Sequence, residues 1–196
     1  MNKTIGLLGT AVFMALPFGA LAQTAATEVQ RNVNQQERIE QGLKSGSLNT
    51  REAARLEREE ASVNRMESRA MKDGTLSDAE KARIQGAQNR VSQDIYREKH
   101  DAQVGNPNSA SSQRMQADVQ RNINQQQRVE QGIKSGELNN REVGRIERGQ
   151  SRVERREANA GADGHVGPRE QQRIQQVENR QSGRIFREKH DKQVRR

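Results

Sequence analysis

Apolar residues are few, but they recur at the spacing of a helix face. Val29, Val33, Ile39 and Leu43 lie on one stripe and predict a helix over 27–44, with Gln36 standing where a further apolar residue is expected. Ala53, Leu56, Val63, Met66 and Ala70 predict a second helix over 50–71, interrupted by Glu60. Ile84, Ala87, Val91 and Ile95, followed by Tyr96, predict a third over 78–100. A disordered polar tract has no reason to hold such a period, so pattern outweighs a composition in which Leu, Ile, Val and Phe fall below about 20%.

The same pattern returns ninety residues later. Residues 29–104 align with 119–194 without a gap, and a little over half the positions are identical. The second copy carries Ile174, Val177, Ile185 and Phe186, with Gln181 in place of Val91. The chain is therefore expected to be all-α, with two tandem three-helix units joined by short, glycine-containing, capped turns. The expected boundaries are a signal peptide over 1–22, a first helical repeat over 23–104, a flexible linker over 105–116 and a basic second repeat over 117–196. Units of this size bury a modest fraction of their surface, so packing of the two units on each other, or of two chains, would extend the core.

The turns share a G-x-[LV]-x-x-x-E pattern, at Gly46, Gly74, Gly136 and Gly164. These segments resemble the second half of an EF-hand calcium loop, and the resemblance implies Asp73 and Glu80, and Asn159, Asp163 and Glu170, as metal ligands. The departures are severe: Arg69 and Met71 occupy the first and third loop positions of one turn, and Gly161 the third of the other. Helix capping explains the same letters without a metal. Gly46 and Gly74 suit a left-handed C-terminal cap, while Ser77 with Glu80, Asn49 with Glu52 and Asn139 with Glu142 have capping-box spacing. Gly167 and Pro168 suit a cap and a first helical position. Capping covers more of the residues than calcium does.

Each copy ends on the string Arg-Glu-Lys-His-Asp, at 97–101 and 187–191. A helix C-terminus favours Lys and His there, and Tyr96 and Phe186 just before the string are expected to lock the third helix of each copy against its neighbours. The rival reading is a partner-docking motif using Arg97, Lys99, His100, Arg187, Lys189 and His190, with Arg195 and Arg196 beyond it. Charge divides the copies: residues 27–104 hold 14 basic and 14 acidic side chains, whereas 117–196 hold 18 and 12. A basic field attracts polyanions, although Glu57, Glu67, Glu147 and Glu154 interleave with arginines as on a solvated helical surface. One aromatic per copy offers no base-stacking platform, so nucleic acid is a poor candidate partner.

Lys3, an apolar run from Ile5 and the Ala20-Leu21-Ala22 end read as a cleavable signal peptide, directing the mature chain to the periplasm or the exterior without a membrane anchor. The absence of cysteine removes thiol chemistry and disulfides. No motif implies an enzyme class or a cofactor beyond the calcium suggested by the turns. The mature chain resembles small exported helical-repeat proteins of bacteria that lack an assigned activity. The expectation is a non-enzymatic envelope protein that binds a macromolecule or protects one under stress, through exposed Arg- and Gln-rich helix faces. The alternative is divalent-cation binding through the turns, and an unknown protein or anionic envelope polymer is the expected partner.

Overall fold

A computed structural model describes residues 18–191, with side chains described from residue 25. Most of the expected signal peptide and both terminal arginines, Arg195 and Arg196, lie outside the described residues. Among those described there are six α-helices and no strand: α1 (Phe18–Ser45), α2 (Thr50–Ala70), α3 (Asp78–Lys99), α4 (Ala110–Ser135), α5 (Asn140–Ala160) and α6 (Pro168–Lys189). No described helix is long and apolar enough to cross a membrane.

The turns form as helix-capping chemistry dictates. Asn49, Ser77 and Asn139 each accept a hydrogen bond from the backbone at the third helical position, and Glu52, Glu80 and Glu142 return one to the cap backbone. Glu170 accepts from the Gly167 N–H at 2.9 Å, with Pro168 at the first helical position of α6. Gly46, Gly74, Gly136 and Gly164 all have φ between 79° and 93°, which a side chain would strain.

The expected apolar stripes are buried: Val29, Val33, Ile39 and Leu43 on α1, Ala53, Leu56, Val63 and Ala70 on α2, and Ile84, Ala87, Val91 and Ile95 on α3. Their partners come largely from the other half of the chain. The most extensive helix contacts are α2 with α5 and α1 with α4. Both pairs run antiparallel: near one end of the first, Ala54 faces Gly161, and near the other Met71 faces Gly144. One apolar cluster joins Ile39, Leu43 and Leu56 to Met115, Val119 and Ile174, and a second joins Val29, Met71 and Ile84 to Ile133, Leu138 and Ile185. The halves thus complete each other's core.

The segment expected as a flexible linker is short and held. α4 begins at Ala110, the Gly105 N–H donates to the Gly46 carbonyl at 2.8 Å, and Ser109 caps α4 through the Ser112 N–H at 3.1 Å. Two side-chain expectations need correction. Tyr96 and Phe186 are about 60% exposed and stack on His100 and His190 at centroid distances of 4.1 and 4.2 Å, while Ile95 and Ile185 beside them enter the core. Glu57, Glu67, Glu147 and Glu154, read as solvated partners of arginines, are all buried.

Candidate functional site

The interior of the bundle carries a seam of carboxyls and amides between its two apolar clusters. α1 and α4 contribute Asn32, Gln36, Asn122 and Gln126, and α2 and α5 contribute Glu57, Glu60, Asn64, Glu67, Glu147, Gln150, Glu154 and Glu157, all at most 1% exposed. Corresponding bonds recur in the two halves. Gln36 donates to Glu57 at 3.1 Å and Gln126 to Glu147 at 3.0 Å, while Asn32 donates to Glu67 at 3.0 Å and Asn122 to Glu157 at 2.8 Å. Asn64 crosses to Glu154 at 2.6 Å. Among the described residues Glu60 has no hydrogen-bond partner on either oxygen. Burial pushes Glu57 and Glu147 up to about 7, and it holds Glu60, Glu67, Glu154 and Glu157 well above the ordinary carboxyl range, reinforced by neighbouring carboxylates. At the edge of the seam Asp118 is raised to about 8 by burial and by Glu178, which is itself raised to about 7 by burial although Arg121 donates to it at 3.0 Å. Buried glutamines, Gln35, Gln88, Gln125 and Gln181 among them, also belong inside rather than to an exposed contact face.

On the outer surface of the second half, α5 and α6 enclose a groove of about 560 Å³. Arg152, Arg155, Arg156 and Asn159 fall at helical spacing on one face of α5, because Val153, Glu154 and Glu157 take the opposite face inward. Arg180 and Arg184 close it from α6. Arg155 donates to the Ser151 carbonyl at 3.2 Å and Arg184 to the Arg145 carbonyl at 3.3 Å. Among the described residues no carboxylate forms an ion pair with any of these five arginines. The floor is Gln181, whose amide donates to the Ile146 carbonyl at 2.9 Å over Gly149. A Cβ at 149 would collide with that amide, so the pair Gly149 and Gln181 replaces the pair Glu59 and Val91 as a unit.

Ninety residues earlier the groove positions read Glu59, Ser62, Arg65, Met66, Arg69, Arg90 and Asp94. Of the exchanges that alter charge, only Arg69 to Asn159 makes the second half less positive. The sequence located the charge difference but not its concentration in one groove, which required knowing which faces of α5 and α6 are exposed.

The candidate turn ligands serve the backbone. Asp73 accepts from Thr75 through N–H and hydroxyl, both at 2.9 Å, Asp163 accepts from the His165 N–H at 2.8 Å, and Glu80 and Glu170 complete caps. These bonds hold Asp73 and Glu80 below their ordinary values. Asn159 lines the arginine groove. In the repeated string, His100 and His190 donate through Nδ1 to the Tyr96 and Phe186 carbonyls at 2.7 Å, closing the ends of α3 and α6. Arg97 pairs with Asp94, Lys99 donates to Gln41 at 3.4 Å, Lys189 pairs with Glu137 at 3.2 Å, and Arg187 is exposed.

Compared with known proteins, the chain matches no family, no curated protein and no solved structure.

Proposed function

We propose that this is a non-enzymatic exported protein, built from two duplicated three-helix units with capped glycine turns, that binds an anionic polymer of the cell envelope. The observation that carries the reading is the α5–α6 groove, where five arginines converge with no carboxylate ion pair among the described residues. Guanidinium groups form forked bonds to phosphate and carboxylate, and a row of them along two helices matches a polymer that repeats such groups. The two-unit reading adds a comparison: the first half keeps the same helices but has Ser62, Met66 and Asp94 where the groove has Arg152, Arg156 and Arg184. The signal-like leader supports placement in the periplasm or outside the cell.

Binding to inorganic polyphosphate and to polygalacturonate, followed by fluorescence anisotropy at 50 and 300 mM sodium chloride, tests the reading. The expected result is micromolar association that weakens at least tenfold at the higher salt. A triple variant, Arg152→Ser, Arg156→Met and Arg184→Asp, restores residues that the other half already tolerates, and is expected to lose at least tenfold in affinity with its melting temperature kept. Equal binding by the variant, or salt-insensitive binding, would overturn the proposal.

A further inference from the structure

We infer that Glu52, Glu98 and Asp101 form a binding site for a hard divalent cation of the calcium type, apart from the turn acids and independent of the arginine groove. Glu98 and Asp101 belong to the repeated Arg-Glu-Lys-His-Asp string, and Glu52 is the third residue of α2. Their carboxylates each place an oxygen within 4.8 Å of the others, and Glu142, Glu188 and Asp191 repeat the grouping in the second half.

Each acid of the first group is oriented by a hydrogen bond or an ion pair. Glu52 accepts the Asn49 N–H through Oε2 at 2.9 Å, while its Oε1 is buried with no hydrogen-bond partner. Asp101 accepts from the Gln103 N–H at 2.8 Å through Oδ1 and from the Gln103 amide at 3.3 Å through Oδ2. Glu98 meets Arg55 through one oxygen at 2.9 Å. The donors are all oxygen, and one guanidinium compensates only part of their charge. Oxygen donors with no imidazole or thiolate suit calcium, whose remaining positions water fills.

A guanidinium distinguishes the second grouping. Arg145 forks onto both oxygens of Glu188, at 3.1 and 2.7 Å, and its Nη2 lies 3.9 Å from Glu142 Oε1. Arg55, its counterpart, leans towards Glu59 at 3.6 Å, a residue that is Gly149 in the second half. Glu59 therefore shares the guanidinium with Glu98, and among the described residues Arg55 forms no ion pair with Glu52, which leaves the first site more open than the second. Without an equivalent acid, Arg145 occupies the second as an internal cation.

Calorimetric titration of the full mature chain with calcium chloride at pH 7, after chelator treatment, tests this. One site is expected, with a dissociation constant on the order of 10⁻⁴–10⁻³ M. Asp101→Asn, on an exposed residue, and Glu52→Gln, which keeps a capping acceptor, should each weaken it at least tenfold with the helical circular dichroism unchanged. Asp191→Asn should bind as the parent does, and Arg145→Gln should raise the stoichiometry to two. Absence of heat at millimolar calcium, or unchanged affinity in Asp101→Asn, would overturn the site. Two equivalent sites in the parent, or one in Arg145→Gln, would overturn the closing role of Arg145. Polyphosphate binding by the arginine groove is indifferent to all of these variants, so the two proposals fail separately.

Discussion

Glu60 concentrates the energetic problem of this protein in one side chain. It is fully buried, both oxygens lack hydrogen-bond partners, and Glu57, Glu67 and Glu59 surround it with like charge. Its value is raised in the fold, so folding favours the protonated form. Stability from such a group is fully present below the unfolded carboxyl value of about 4.5, and is lost as pH rises through the folded value. Glu57, Glu147 and Glu178, raised to about 7, and Asp118, raised to about 8, act in the same direction. Thermal melts should therefore show the highest Tm near pH 4–5 and a decline towards pH 8. The lowered, exposed Asp73 and Glu80 oppose this trend only at more acid pH. The counterpart of Glu60 is Gln150, so Glu60→Gln is compatible with the fold. It should raise Tm at pH 8 by several degrees, because glutamine carries no charge to bury, and change Tm little at pH 4.5, where the acid is already neutral in the fold. An equal effect at both pH values would show that Glu60 is not protonated in the fold.

At the scale of elements, α2 and α5 approach closely because positions ninety residues apart carry compensating pairs of residues. Ala54 and Gly144 are equivalent in sequence, as are Met71 and Gly161, yet in space Ala54 faces Gly161 and Met71 faces Gly144. A Cβ at 161 would lie 2.7 Å from the Cβ of Ala54 and from Met115 Cε, so the glycine admits a neighbour from the other half. Gly161→Ala should cost about 1–3 kcal/mol as overpacking. Combined with Ala54→Gly it should show a favourable coupling of at least about 0.5 kcal/mol in a denaturation cycle, and strict additivity would exclude the contact. The helix ends, by contrast, were legible from sequence: Asn49, Ser77 and Asn139 cap where their spacing to a glutamate predicted, and Gly167 where Pro168 placed the first helical position, because capping is local. The start of α4 at Ala110 was not, since Gly105 to Ser112 has linker composition and its anchoring on Gly46 is a long-range contact.

For the whole molecule, the two halves share both apolar clusters and the polar seam, so neither half has a complete core. Expressed separately, residues 23–104 and 117–196 should not melt as folded monomers, and mixing them should recover helicity and a cooperative transition in circular dichroism. Two independent, cooperative monomeric transitions would contradict the shared core. The same packing explains how a chain so poor in apolar residues folds: each half contributes roughly one wall, and buried amides and carboxyls, several of them hydrogen-bonded to each other, fill the space between. The outer faces are then free to diverge. In the second half they carry the groove of Arg152, Arg155, Arg156, Arg180 and Arg184.

The sequence by itself determined the helices, their buried stripes, their caps and the excess of basic charge after residue 117, because periodicity, capping and net charge depend on residues near one another or on simple sums. Only the tertiary structure decided which glutamates face water and which face the interior. Glu57 and Glu67 sit among arginines along α2 exactly as surface residues would, and nothing local distinguishes them. Their burial comes from α5 packing antiparallel on α2, an arrangement of residues about ninety positions apart. Packing of α6 on α5 gathers the arginines into a groove, and packing of α3 on α2 gathers Glu52, Glu98 and Asp101 into a triad.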